Sequence, residues 1–224
     1  MREESPNVTV TLHYRDPEAF PDTLFNLWAN DRLDDFFPVP EGSKVEVVEG
    51  EIIVSPAAPP EHNGFVADII DSLGDARRDQ PDFPWGYDVG SGLVLVGTEK
   101  GFVPDLTVLD RQAALSVRRT RAKKLVSDEA EMVVEITSPG NADTDRRPRT
   151  RRNDNKWNSY AASGIPYYLL VDRDPKVARV FLYSIPDEAT AAYLHEDSWA
   201  FGETIRLPEP LDFEIDTELW EPWE

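Results

Sequence analysis

Cysteine is absent from the 224 residues, so the chain has no disulfide framework, no thiolate nucleophile and no thiolate metal site. Long apolar runs are absent as well. Nothing approaches the roughly 18 consecutive apolar residues of a membrane span, and the opening MREESPNVTV lacks the apolar stretch of a secretory signal. A cytoplasmic protein with no membrane partner is therefore expected. Cations are scarce, with 23 Lys and Arg against 43 Asp and Glu, a net charge of −20. That balance argues against a protein that coats nucleic acid, because phosphate binding rests on cations. Glycine (12) is outnumbered by proline (19), which points to stiff connections more than to long helices. What is present is a 40% hydrophobic content with 6 Trp, 7 Tyr and 10 Phe, enough to build a sizeable core in one domain of ordinary size.

The charge is unevenly spread. Residues 111–156 hold 12 of the 23 basic residues and only 7 acidic ones, so the remainder is more acidic than the total implies. Such a basic segment inside an acidic shell either faces a polyanion or is a solvated surface.

Element signals run the length of the chain. Residues 1–21 are polar and punctuated by proline, and read as a loose arm. Apolar positions at Leu24, Phe25, Leu27, Trp28 and Leu33 predict an amphipathic helix over 22–36. KVEVVEGEIIVS, 44–55, reads as a hairpin turning at Glu49-Gly50. Phe65, Val66, Ile69, Ile70 and Leu73 predict a helix over 61–78. One or two strands follow in 85–96, another in 102–109 with Pro104 at its entry or at a bulge, and a basic connection or short helix in 117–125. EMVVEIT, 131–137, is a near-continuous apolar run of the kind buried on both faces, hence a central strand. A helix over 151–163 stops at Gly164; strands at 167–172 and 177–183 and a last hairpin, 193–201 with 203–207, precede an acidic Trp-bearing tail, 216–224. The order predicts an α/β or α+β domain spanning 22–215 around one mixed sheet flanked by helices, with added N-terminal hairpin strands.

Two carboxylates stand out by position. Asp105 lies among Val103, Leu106 and Val108, and Glu135 lies in the most apolar strand, where charge is costly unless a cation binds it. One carboxylate on each of two neighbouring strands makes a site for a hard cation such as Mg²⁺; the alternative is that each pairs with an Arg of the basic segment. Two carboxylates sharing a partly buried pocket repel each other, so at least one is expected to have a raised pKa. The position two residues after Glu135 is Thr137, so a cation must come from elsewhere. Lys156 is the lone lysine of the following helix, with Tyr160 four residues on and on the same helix face. Glu46 on the first hairpin either adds a carboxylate or faces solvent. His62, on the loop expected before the second helix, either contacts water or phosphate or packs the loop.

The stretches VEVVEGEIIVSPAAPPEHNG, VPDLTVL, MVVEITSPGNADTDR and KWNSYAASGIPYYLLVD, spread in this order over residues 44–183, resemble the Uma-type family of bacterial restriction endonucleases of the PD-(D/E)XK superfamily. The resemblance implies a restriction-endonuclease-like fold, the proline-aspartate motif at Pro104-Asp105, the motif glutamate at Glu135 and the motif lysine moved to the helix at Lys156. Glu46 and His62 are further matches. It further implies Mg²⁺ or Mn²⁺ held by Asp105, Glu135 and the Ile136 carbonyl, DNA as substrate beside Arg146, Arg147, Arg151 and Arg152, and by analogy a homodimer that cuts two strands. The activity expected is metal-dependent hydrolysis of DNA phosphodiester bonds. The alternative is a protein that keeps the fold without the activity and binds a basic partner through its acidic surface.

Overall fold

The computed structural model describes residues 9–12, 21–37, 39–149 and 155–224. In chain order the elements are β1 (Val10–Leu12), α1 (Leu24–Ala29), β2 (Lys44–Val48), β3 (Glu51–Ser55), α2 (Pro60–Asp79), β4 (Trp85–Val89), β5 (Leu93–Leu95), β6 (Lys100–Phe102) and β7 (Leu106–Asp110). They continue with α3 (Arg111–Thr120), β8 (Leu125–Val126), β9 (Ala130–Ile136), α4 (Ala142–Asp145), α5 (Lys156–Ala162), β10 (Tyr167–Asp172), β11 (Arg179–Asp187), β12 (Ala192–Ala200), β13 (Ile205–Arg206) and β14 (Glu214–Ile215). Two mixed six-stranded sheets carry the fold, in the orders β1-β3-β2-β6-β5-β8 and β12-β11-β10-β9-β7-β4, beside a small β13-β14 ribbon. The architecture is α+β, with two large sheets where the sequence reading expected one. None of the described helices is long and apolar enough to cross a membrane.

The hairpin β2–β3 turns at Glu49 (φ +51°) and Gly50 (φ +79°), the doubly positive pair that a two-residue turn of matching twist requires, and Val48 pairs with Glu51 across it. β9 takes the central place, parallel to β10 and antiparallel to β7. Its alternation divides two cores. Met132, Val134 and Ile136 pack with Phe65, Ile69 and Leu73 of α2, whereas Val133 packs with Trp157, Tyr160 and Ala161 of α5 and with Leu93 and Phe102 of the other sheet. Trp28 of α1 lies flat on β6, where a Cβ on Gly101 would fall 2.1 Å from its ring, and its Nε1 donates to the Val45 carbonyl at 2.7 Å.

Several boundaries differ from the sequence reading for identifiable reasons. The first helix ends after six residues because Asp31 takes φ +50°, and a 3-10 turn, Leu33–Asp35, follows. The strand expected over 102–109 is two strands in different sheets. β6 pairs with β5 and β7 with β9, and the chain crosses between sheets at Val103-Pro104-Asp105, where Pro104 has no N–H to extend a ladder. α3 starts earlier than the basic run suggested, capped by Asp110, which accepts from the N–H groups of Gln112 and Ala113. The final hairpin is re-partnered, with β12 on β11 and β13 on β14. Val10–Leu12, within the stretch read as a loose arm, adds an edge strand to β3. The acidic tail folds back: Trp220 is buried, its ring centroid 5.0 Å from that of Phe65, and its Nε1 donates to Asp68 Oδ2 at 2.8 Å. α5 begins at Lys156; residues 151–154 of the longer helix expected there lie outside the described residues.

Candidate active site

Side chains from strands of both sheets and from the helices around them gather at the seam between the two sheets. On β2, alternation turns Lys44 and Glu46 to one side. On β9, Glu135 shares its face with Val133, toward α5. Leu106 pairs with Val134 and Thr107 with Val133, so Asp105, one step before β7, sits beside Glu135 on that same face. There Asp105 Oδ2 accepts the Ile136 N–H at 2.8 Å. α5 contributes its first residue, Lys156, and, one turn later, Tyr160. The Asn155 cap accepts from the Asn158 N–H and donates to the Arg146 carbonyl at 2.6 Å, which fixes where this helix starts.

Lys156 is the meeting point. Its Nζ lies 3.0 Å from Glu135 Oε1, 3.1 Å from Glu46 Oε1 and 3.6 Å from Asp145 Oδ1, and the whole side chain is buried. The Tyr160 hydroxyl donates to Glu135 Oε1 at 2.7 Å, and the Val103 N–H donates to Glu46 Oε1 at 2.9 Å. Asp105 stands at the edge of this group. Its Oδ1 is ion-paired to Lys44, and His62 Nε2 lies 3.0 Å from its Oδ2 without pointing squarely at it. His62 occupies the first turn of α2, not the loop before it.

Glu135 and Asp105 are pushed in opposite directions. Burial raises the pKa of Glu135 to about 8; the neighbouring Lys156 opposes that rise, and Asp145 and Asp105 add to it. Burial acts on Asp105 in the same sense, but His62 and then Lys44 outweigh it and hold this group well below the usual carboxylate range. One raised carboxyl was expected, and Glu135 is it. Asp145 follows Glu135, raised by burial to about 6 against the pull of Lys156. For Lys156, burial favours the neutral amine, but the surrounding carboxylates, Glu135 first, override it and keep the ammonium charged.

In kind, the donors suit a hard divalent cation: carboxylate oxygens on one face of adjacent strands, partly shielded from water. In arrangement, among the described residues no group of three or more His, Asp or Glu side chains is poised around an ion position. The two ammonium groups stand among the carboxylates instead and supply the positive charge there.

Of the residues singled out in the sequence, Glu46, Asp105, Glu135, Lys156, His62 and Tyr160 come together. Thr137 does not join them; its Oγ1 accepts the Arg173 N–H at 2.9 Å and so secures the ends of β9 and β10. Arg146, expected in a substrate channel, is taken up by a bidentate pair with Asp172 (2.6 and 2.7 Å) and by Asp174 at 3.0 Å. Arg147 pairs with Glu196 at 3.6 Å and lies over the Trp157 ring. Arg151 and Arg152 lie outside the described residues. Sequence reasoning missed Lys44 and Asp145. Lys44 was detectable, since it lies two residues before Glu46 and alternation puts the two on one side. Asp145, one of several acidic residues in GNADTDR, carries no such mark. A cleft of about 770 Å³ opens beside the cluster, lined by Lys44, His62, Ser138, Asn141 and Arg173 among others. A wider groove of about 880 Å³ runs past Asp75, Asp79, Asp212 and Glu214 and contains none of the clustered residues.

Comparison with known proteins bears on what this arrangement belongs to. No curated protein matches the chain. Among solved structures, the crystal structure of "a putative nuclease belonging to DUF820" from Anabaena variabilis ATCC 29413 is similar with a TM-score of 0.51 at 17% identity, over 77% of this chain and 85% of that one. At that identity the likeness is one of fold. The model of the Uma2 family, described as "Putative restriction endonuclease", matches residues 32–218. That match takes in the β2–β3 hairpin, β7, β9 and α5, and the chain belongs to the Uma2 family.

Proposed function

We propose that the protein is a divalent-metal-dependent endonuclease that hydrolyses DNA phosphodiester bonds. The observation that supports this reading best is Lys156 Nζ lying 3.0 Å from Glu135 Oε1, delivered from a helix although the usual strand position for a lysine is occupied by Thr137. A buried lysine held at Glu135, with Pro104-Asp105 one strand away, supports this reading because it sets a fixed cation beside two carboxylates at the edge of a cleft. Asp105, Glu135 and the Ile136 carbonyl would hold Mg²⁺ or Mn²⁺, which when bound supplies Lewis acidity at a phosphate oxygen and a more acidic water.

The chain's own groups do the rest. Tyr160 fixes the rotamer of Glu135 through its 2.7 Å hydrogen bond. The Ile136 N–H does the same for Asp105. Lys156 presents a fixed positive charge where the attacking water and the developing negative charge lie, and Glu46 and Asp145 keep that ammonium protonated in a buried place. Lys44 stands between Asp105 and the cleft, positioned to meet the phosphate that enters.

The test is melting with and without Mn²⁺ in wild type, Asp105→Asn and Lys156→Ala, beside plasmid nicking at low salt. Wild type should show a Mn²⁺-dependent rise in Tm and nick DNA, Asp105→Asn should lose both, and Lys156→Ala should keep the rise and lose nicking. A wild type with neither property sinks the catalytic reading. The acidic interaction module would then take its place, a reading favoured by one observation: Asp105, Glu135, Glu46 and Asp145 all have an internal ammonium partner.

A further inference from the structure

Arg173 is unusual within the cleft. It follows β10, is only 3% exposed, and lines the same cleft as Lys44 and His62. Its guanidinium lies over the Phe65 ring at 4.6 Å, and its backbone is held on both sides: the main-chain N–H donates to Thr137 Oγ1 and the carbonyl accepts the Trp223 N–H at 3.0 Å. Yet its Nε makes no hydrogen bond among the described residues, and its Nη2 meets Glu61 Oε1 as an ion pair, without a well-directed hydrogen bond. Buried guanidinium groups normally find partners for their donors, and one left short of them while it lines a cleft is set for a ligand.

A second observation points the same way. Glu61 and His62 form the first turn of the 20-residue helix α2, which has no side-chain cap, so the positive end of its dipole and its early N–H groups open on this cleft. Glu61 is 65% exposed, free to swing aside, and its carboxylate stands on Arg173 as an anion's oxygen would. Of the other acidic groups of the cleft, Asp68 is turned to Trp220 Nε1, and Glu221 and Glu224 lie on the C-terminal segment that forms one wall.

We infer that Arg173 and the N-terminal turn of α2 form a phosphate subsite of the cleft, which takes a backbone phosphate of the nucleic acid next to the one at the Asp105–Glu135 cluster. A planar guanidinium whose Nε lacks a partner among the described residues and whose Nη2 faces the exposed Glu61 suits the two oxygens of a phosphodiester, and Glu61 acts as the internal anion that the phosphate displaces. The inference rests on the phosphodiesterase reading for the identity of its ligand.

The experiment is fluorescence anisotropy of a short labelled DNA duplex at low salt in EDTA, so that binding is read without cleavage. Arg173→Lys keeps the charge but loses the fork and should bind about tenfold more weakly. Glu61→Gln removes the competing anion from an exposed position and should bind several-fold more tightly. The slope of log affinity against log salt should fall by about one in an Arg173→Ala variant that melts like wild type. If Arg173→Ala does not fold, the other two variants decide. A wild type that binds no DNA at low salt, or variants that match wild type, overturn the subsite. Unchanged binding together with Mn²⁺-dependent nicking would overturn it while leaving the nuclease reading intact. Arg173-dependent binding in a protein without nicking or a Mn²⁺ response would sink the nuclease reading and leave the subsite standing.

Discussion

Glu135→Gln should make this protein more stable, and by an amount that depends on pH in a defined way. Glu135 is 2% exposed, and its carboxyl is raised from 4.5 to about 8 in the fold, mainly by burial. A raised acid contributes stability that is fully present below its unfolded pKa and is lost as pH rises through the folded one, because the unfolded chain ionises first. Each pH unit of separation is worth about 1.36 kcal/mol, so wild type forfeits up to about 5 kcal/mol between pH 4.5 and 8 relative to a protein with a neutral group there. Gln is that neutral group, and it retains an oxygen for the Tyr160 hydroxyl and Lys156. Urea unfolding in EDTA from pH 5 to 9 should show the two proteins nearly equal at the acid end. The gap in favour of Gln should then widen by about 1.4 kcal/mol per unit and level off above about pH 8. A gap that does not change with pH, or a variant less stable than wild type at pH 9, would refute the buried-carboxyl account. The same substitution should abolish any Mn²⁺-dependent rise in Tm.

Other outcomes follow from the same geometry. Asp105→Asn should behave oppositely to Glu135→Gln and destabilise by about 1–3 kcal/mol near neutral pH in urea unfolding, because it removes an ionised acceptor from Lys44, His62 and the Ile136 N–H; neutrality would mean the Asp105 pairings contribute little. The Mn²⁺-induced Tm shift of wild type should grow as pH rises toward about 8, since the cation must displace the proton of Glu135; a shift that shrinks with pH would count against Glu135 as a ligand. Lys156→Met should cost about 3–5 kcal/mol at pH 9, where Glu46, Glu135 and Asp145 lose their shared cation, and distinctly less at pH 5, where Glu135 and Asp145 can take up protons; calorimetry at the two pH values reads the difference. Trp220→Ala should cost about 3–5 kcal/mol because the ring fills the space between Phe65 and Phe201 and donates to Asp68; a variant with unchanged Tm would make the segment after 215 a true appendage.

Much of the fold was legible because its signals are local. The β2–β3 hairpin announces itself through alternation and a turn that needs positive φ, and β10 appears at Tyr167–Asp172 as its apolar run indicates. Glu135 and Asp105 could be picked out because charge inside an apolar strand is anomalous without a partner. What could not be read is long-range. Nothing in Phe102–Leu109 says that its two halves belong to different sheets, and nothing in the 203–207 run names β14 as its partner. The fate of Arg146 shows the same limit. A cluster of arginines signals a polyanion as readily as an internal acid, and only the arrival of Asp172 and Asp174 from the far end of β10 decides for the latter. Asp145 was hidden for a different reason: in a chain with 43 acidic residues, one carboxylate at the end of a four-residue helix has no distinguishing neighbours.

The crossing at Val103-Pro104-Asp105 has a mechanical meaning. Within three residues the chain leaves one sheet and enters the other, and the first and last of them anchor opposite flanks of the cluster, Val103 through Glu46 of β2 and Asp105 through Ile136 of β9. Lys156, from a helix that belongs to neither sheet, bridges Glu46 and Glu135 over the same seam. Any shift of one sheet against the other would thus change the spacing among the charged groups. The geometry of the charged groups is therefore set by how the two sheets meet, and not by either sheet alone.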